Sequence, residues 1–397
     1  MNYYQAFKET PLDPILGIAA KYRKDQNPDK INLSIGVYKS EEGQIAVLNS
    51  VYKAEKILLE QKNNKGYPPV DGDPGFKEAI LSLLVSSEDK DSFYVCQTVG
   101  ATSAIHLSGE LMKVMGIKNI YYSDLTWPNH PHIYEATGLN PITFPYYDEK
   151  KHTLRFKEIC ESLKNAGPNS AVLFQMCCHN PTGRDPSLEE WKQLIGIIKD
   201  KNLFPVIDCA YQGFGKGLEE DITPFKLLLD TVDQMFVCYS CAKNFGVYGE
   251  RVGALIAYDK TKKNLDLLDQ NARKLVRSNY STPPLHGARI IKTILKSSEL
   301  NNLWRNEVKE MRIRIKELRQ LFLQSIESKK TGKNFNFVIE DDGLFSLLDF
   351  SKDQIIKLRD KYSIYMLENG RINIAGLSLK NIEHITTAFS EVLQNNA

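Results

Sequence analysis

Short apolar runs recur through the middle of the chain, at residues 94–97, 120–123, 170–176, 204–208, 235–239 and 251–258. Each has the length and composition of a buried strand. Between them lie stretches with helical spacing: one follows Gly100 and reaches about Met115, and another carries Trp191, Leu194, Ile195 and Ile198. Strand alternating with helix predicts a mainly parallel sheet covered by helices, with ligands in the loops past the carboxyl ends of the strands. Gly100, Trp127, Asn180, Asp208 and Lys243 all fall at such ends.

The flanks read differently. A helix start is expected at residues 12–17, a strand-like run at 31–38 broken by Gly36, and a helix over 50–61. Glycine in a strand lets backbone come close to a ligand. The turn-rich stretch 67–75 displays Tyr67 on a loop. Beyond the sheet, helices are predicted over 261–277 and from Leu285, and 301–328 reads as one long helix leading into a smaller C-terminal part. That part holds 335–339, 343–347, a helix near 351–362, and 371–376. No internal repeat or low-complexity tract interrupts the pattern.

Lys243 lies in the loop between two core strands, with Ser240 three residues before it and Arg251 eight after. A solvated lysine is the commoner fate, but here a hydroxyl and a guanidinium stand close by in sequence, the groups that hold a phosphate. An amine beside a phosphate anchor points to a phosphorylated aldehyde. Pyridoxal phosphate is such an aldehyde, and it forms a Schiff base with a lysine whose pKa is lowered by burial or by neighbouring cations. The small residues after Val99, Gly100-Ala101-Thr102-Ser103-Ala104, offer a second anion site at a helix N-terminus. Asp208 ends an apolar strand, where a carboxylate must be paired or exposed. Asn180 precedes a proline and is held out of the helical region.

Composition narrows the classes. At 397 residues and 42% hydrophobic the chain has the size for two domains, and a formal charge of +2 implies no polyanion-binding surface. Nucleic acid is not an expected partner. The first residues lack a basic start with an apolar stretch, and no run approaches a membrane span, so a cytoplasmic protein is expected. The seven cysteines sit mostly in apolar surroundings and read as buried small hydrophobes, not a disulfide framework. Cys238 and Cys241 form a C-x-x-C, but no second pair stands at zinc-ribbon spacing, and no metal is expected.

Taken in order, these motifs resemble those of the fold-type I pyridoxal-phosphate aminotransferases, within them the aspartate and aromatic amino-acid enzymes. The resemblance runs from Asp13-Pro14-Ile15-Leu16-Gly17 through Trp127-Pro128-Asn129-His130, His179-Asn180-Pro181-Thr182-Gly183 and Asp208 with Tyr211-Gln212-Gly213-Phe214. It continues through 240–251 around Lys243 to Gly370-Arg371-Ile372-Asn373-Ile374-Ala375-Gly376. It implies an α/β fold: a large domain, residues 46–310, built on a mainly parallel mixed sheet, and a smaller α+β domain from the two chain ends, 1–45 and 311–397. It also implies that Lys243 carries the cofactor and moves the proton between the substrate α-carbon and the cofactor C4′. Asp208 would hold the pyridine nitrogen protonated, with His130 behind it; Asn180 and Tyr211 would bond the phenolic oxygen; Trp127 would stack on the ring. Gly100, Ala101, Thr102, Ser240 and Arg251 would bind the phosphate, joined by Tyr67 from a neighbouring subunit. Arg371 would grip the α-carboxylate, with Gly36 also beside substrate, and Arg277 of the neighbour would meet a distal carboxylate. The active site is then complete only in a homodimer.

Three functions follow as expectations. Two arginines favour aspartate and glutamate as amino donors with 2-oxoglutarate and oxaloacetate as keto acids. An aromatic amino-acid aminotransferase is the alternative, with Arg277 swinging aside for an uncharged ring. A non-catalytic regulator would need a DNA-binding segment, and none precedes residue 12. Ser103 where glycine is common, Pro68-Pro69 after Tyr67, and Ser278, Asn279 and Thr282 around Arg277 depart from the family pattern without removing a reactive group.

Overall fold

In this computed structural model, residues 3–9 and 13–394 are described. Leu12, expected at the start of the first helix, and residues 1–2 and 10–11 of the N-terminal stretch lie outside them. The helix runs Pro14–Lys24, started by Asp13, whose Oδ1 accepts the N–H groups of Ile15 and Leu16 at 2.8 and 3.0 Å. Proline at the first helical position has no N–H to leave unsatisfied.

Seven strands make the central sheet: β1 Phe93–Val99, β2 Asn119–Ser123, β3 Asn140–Phe144, β4 Ser170–Gln175, β5 Phe204–Cys209, β6 Gln234–Ser240 and β7 Val252–Asp259. Their order is β1-β7-β6-β5-β4-β2-β3, and β7 alone runs antiparallel to its neighbours. The carboxyl ends of β1, β2, β4, β5 and β6 therefore lie along one edge, and β7 begins there. Alternation within the strands divides the core between the two faces. Ala171 and Leu173, Val206, Phe236 and Cys238, and Leu255 and Ala257 pack on one face with Ile105, Leu107 and Leu111 of the helix Gly100–Val114. Val172 and Phe174, Ile207, Val237, and Ala254 and Ile256 pack on the other with Trp191, Leu194 and Ile198 of the helix Leu188–Asp200. Both faces are apolar, as a parallel sheet requires.

Segments from early and late in the chain pair. Ile31–Asn32 pairs in parallel with Ile364–Tyr365, and Phe345–Leu347 pairs antiparallel with Arg371–Asn373. The strand expected over 31–38 is thus only two residues long, and beyond Asn32 the chain runs as a loop. Long helix Ser298–Ser328 connects the sheet to the C-terminal elements. Among the described residues no helix is long and apolar enough to cross a membrane.

Candidate active site

At the carboxyl edge of the sheet lies a cavity of about 110 Å³. It is lined by Ala101, Thr102, Trp127, Asn180, Asp208, Tyr211, Ser240, Lys243 and Arg251, together with Ile105, Gln175, Ala210 and Ala242. Residues far apart in sequence converge there because each follows or ends a strand of the same edge. A larger groove of about 690 Å³ runs past Cys177, Arg184 and Glu220 and gathers none of these nine.

Asp208 is buried at the end of β5. Its Oδ2 lies 3.1 Å from His130 Nε2, and His130 Nδ1 lies 2.7 Å from Thr126 Oγ1, so a relay fixes the carboxylate from behind. Its Oδ1 is buried without a hydrogen-bond partner among the described residues. An unsatisfied buried carboxylate oxygen is costly and calls for a donor at that spot. Trp127 stands edge-on to His130, ring centres 5.3 Å apart, and flanks the same space.

Burial lowers the pKa of Lys243 to about 8; the charge of Asp208 opposes the shift, and the Arg251 and Arg371 guanidinium groups add to it. A lysine so placed is a nucleophile near neutral pH. Its Nζ lies 5.5 Å from the Tyr211 ring centre and 5.9 Å from that of Tyr248. Burial pushes the pKa of the Tyr211 hydroxyl upward, so it stays protonated at neutral pH.

β1 turns into the helix Gly100–Val114 beside this cavity. Among the described residues no side chain caps this helix, which leaves first-turn N–H groups free for an anion. Gly100 has φ +71°, and a Cβ there would meet Arg251 Nη2 at 2.6 Å. Glycine therefore lets the guanidinium lie against the helix start. Ser240, at the end of β6, lines the same cavity.

Arg371 is buried and forms no ion pair among the described residues. Its Nη1 donates to Asn180 Oδ1 at 2.8 Å, its Nη2 donates to the Ser34 carbonyl, and its Nε has no partner among the described residues. Burial lowers its pKa to about 10, which leaves it cationic at neutral pH. Because Asn180 Oδ1 accepts from Arg371, its Nδ2 remains as a donor toward the cavity. Gly36 packs on Phe345, since a Cβ there would lie 2.6 Å from the ring. Tyr67 is 93% exposed, and Arg277 is exposed and, among the described residues, donates only to Ser281. Neither lines the cavity of its own chain.

Sequence reasoning missed three supports. Gln175 exchanges two hydrogen bonds with the backbone of Asn180, at 2.9 and 3.0 Å. The Ser34 carbonyl holds Arg371, and Phe345 lies with its ring centre 4.3 Å from the Arg371 guanidinium carbon. Cys177, Cys178 and Asp221 come within 4.8 Å of one another, but both Asp221 oxygens are taken by backbone N–H groups of residues 213, 215, 216 and 217.

An orphaned carboxylate oxygen, an uncapped helix start beside a guanidinium, and an amine of lowered pKa each lack what one flat pyridine aldehyde with a phosphate tail supplies. The class so defined is the pyridoxal-phosphate enzyme. Comparison narrows it: the model of the aminotransferase class I and II family matches residues 28–389, and the chain belongs to that family. It is 38% identical to the aspartate aminotransferase of Escherichia coli (strain K12) over 98% of this chain and 100% of that one. Among solved structures, the aromatic-amino-acid aminotransferase of Burkholderia pseudomallei, covalently bound to pyridoxal phosphate, superposes with a TM-score of 0.96 at 32% identity, covering 99% of this chain and 100% of that one. The Saccharomyces cerevisiae cytoplasm aspartate aminotransferase gives 0.97 at 30%, covering 100% and 99%. Pyridoxal phosphate is the cofactor, the reaction is transamination, and the expectation of an enzyme over a regulator is met.

Proposed function

We propose that this aminotransferase moves the amino group of L-aspartate, and of L-glutamate, to 2-oxoglutarate or oxaloacetate. The carrying observation is Arg371: a buried guanidinium, aimed by Asn180 and Ser34, that no carboxylate among the described residues pairs with. A buried cation without a counter-ion is costly, and a substrate α-carboxylate supplies one. In this reading Arg277 reaches from the other subunit of a homodimer to the distal carboxylate. Its exposure, with Tyr67's, supports a role outside its own cavity.

Bound at this site, pyridoxal phosphate acts as an electron sink for the substrate α-carbon. Lys243 would hold it covalently, and its Nζ would take and return the substrate α-proton, a task that suits an amine with a pKa of about 8. Asp208, held in place by His130 and Thr126, would keep the pyridine nitrogen protonated. Asn180 Nδ2 and the Tyr211 hydroxyl would donate to the phenolic oxygen. The Gly100–Val114 helix start, Ser240 and Arg251 anchor the phosphate, and Trp127 covers the ring.

The cytoplasm is the proposed compartment, in keeping with the cytoplasm enzyme of yeast. The division into 46–310 and 1–45 with 311–397 is likewise proposed, supported by the pairing of Ile31–Asn32 with Ile364–Tyr365. Aromatic substrates are a second reading, favoured by one observation: among the described residues Arg277 is held only by Ser281 and is free to swing aside. Initial rates with aspartate, tyrosine and phenylalanine against 2-oxoglutarate decide. We expect the highest kcat/KM with aspartate; a higher value with tyrosine or phenylalanine would replace the first reading by the second.

A further inference from the structure

Arg319 sits on the helix Ser298–Ser328 and is 2% exposed, with no ion pair among the described residues. Its guanidinium is used as a hub. Nη1 donates to the Val338 carbonyl and to Ser346 Oγ, both at 2.7 Å; Nη2 donates to the carbonyls of Gly343 and Phe345 at 2.8 Å and of Asp342 at 3.3 Å. Every acceptor belongs to the segment 338–346. Leaving a buried charge here makes sense only where several backbone carbonyls need a donor at once, which a rigid fork supplies and an ammonium does not.

That segment is the frame of Arg371. Strand Phe345–Leu347 pairs with Arg371–Asn373, placing Leu347 opposite Arg371, and Ile374 N–H donates to the Leu344 carbonyl at 2.7 Å. The Phe345 ring covers the Arg371 guanidinium at 4.3 Å and meets the Tyr211 ring edge-on at 5.8 Å. On the far side, Asp342 N–H donates to the Gly183 carbonyl at 2.8 Å, next to the loop that carries Asn180. Both the strand under Arg371 and the ring on it are therefore set by carbonyls that converge on one buried guanidinium.

We propose that Arg319 is a positioning residue for substrate binding: by gathering the carbonyls of 338–346 it fixes Phe345 and the strand beneath Arg371, and so the angle at which Arg371 meets the substrate α-carboxylate. The proposal rests on Arg371 binding that carboxylate. Arg319 touches neither substrate nor cofactor; its effect passes through Phe345 and the paired strands. A displacement of ~1 Å at a substrate-binding group can cost on the order of 100-fold.

The test uses the cofactor-loaded enzyme. Arg319→Lys should raise KM for aspartate and the dissociation constant of succinate, a non-reacting dicarboxylate, by roughly ten- to hundredfold. The absorbance of the lysine-bound cofactor and its titration with pH should match the parent. Ser346→Ala, which removes the hydroxyl that accepts from Arg319 and donates to Asp341 Oδ2 at 2.8 Å, should move the same constants the same way by less, and it decides if Arg319→Lys does not fold. Arg371→Leu is the reference: if it leaves succinate binding unchanged, the carboxylate role of Arg371 is wrong. If Arg371→Leu weakens succinate while the folded Arg319 and Ser346 variants bind it as the parent does, losing only melting temperature, Arg319 is structural and the proposal is overturned.

Discussion

Replacing Asp208 by asparagine keeps the shape of the side chain and removes its charge. In the parent, Oδ2 holds the 3.1 Å contact to His130 and the buried Oδ1 has no partner among the described residues. An asparagine preserves the first contact, so the Thr126–His130 relay stays, and the helix start, Ser240 and Arg251 still seat the phosphate. The loss is a fixed negative charge at the position assigned to the pyridine nitrogen. One preorganised group aimed at charge that develops in a buried site is worth about 2.7–4 kcal/mol, or roughly 10²–10³ in the chemical step. The expectation is a fall of that size in the single-turnover rate with aspartate, followed by absorbance at saturating amino acid, in protein that keeps its cofactor through gel filtration. In cofactor-free protein the variant should also lower the pKa of Lys243 below about 8, since the Asp208 charge is what opposes the downward shift. Single-turnover rates equal to the parent's would refute the role of this carboxylate.

Arg277→Leu should cut kcat/KM for aspartate roughly 30-fold or more, the scale of losing one partner of a buried charged pair, and barely change phenylalanine. Mixing it with Lys243→Ala and allowing subunit exchange should raise aspartate activity above either parent, because one site then has its own Lys243 and a neighbour's Arg277; no rise after proven exchange would place Arg277 in its own subunit's site or away from substrate. For pH, the folded pKa of Lys243, about 8, lies below the ordinary 10.5, so between these values the unfolded chain binds more protons and stability rises with pH. Thermal melts of cofactor-free protein should accordingly gain on those of Lys243→Met as pH increases through that window; a gap that stays flat would contradict the burial of the ammonium.

The reactive centre is legible in the sequence because its residues mark ends of apolar runs. Gly100, Asp208 and Lys243 close or follow β1, β5 and β6, and a parallel sheet brings such ends to one edge without further information. Other features are not. Strand β3, with Asn140 and Pro141 and partly exposed Ile142, lies at the sheet edge and lacks the continuous apolar run of a central strand. The helix Pro74–Leu81 hides behind its turn-rich start, although Asp73 caps Phe76 N–H and Pro74 opens it. Residues 33–38 have the apolar content of a strand, yet after Asn32 the chain leaves its pairing with 364–365, and that departure lets the Ser34 carbonyl meet Arg371. The roles of Gln175, Phe345 and Arg319 depend on contacts across 5, 26 and 19 to 27 residues of sequence, made by a few hydrogen bonds and one ring, and no local pattern encodes them.

Every role assigned at the site depends on one covalent bond, between the cofactor and Lys243 and no other lysine. Borohydride reduction of the cofactor-loaded protein, followed by digestion and mass spectrometry, reads it directly. A phosphopyridoxyl group is expected on the peptide containing Lys243, and protein carrying Lys243→Ala should lack it. A label on another lysine, or none in protein reconstituted with pyridoxal phosphate, would contradict the assignment of the site.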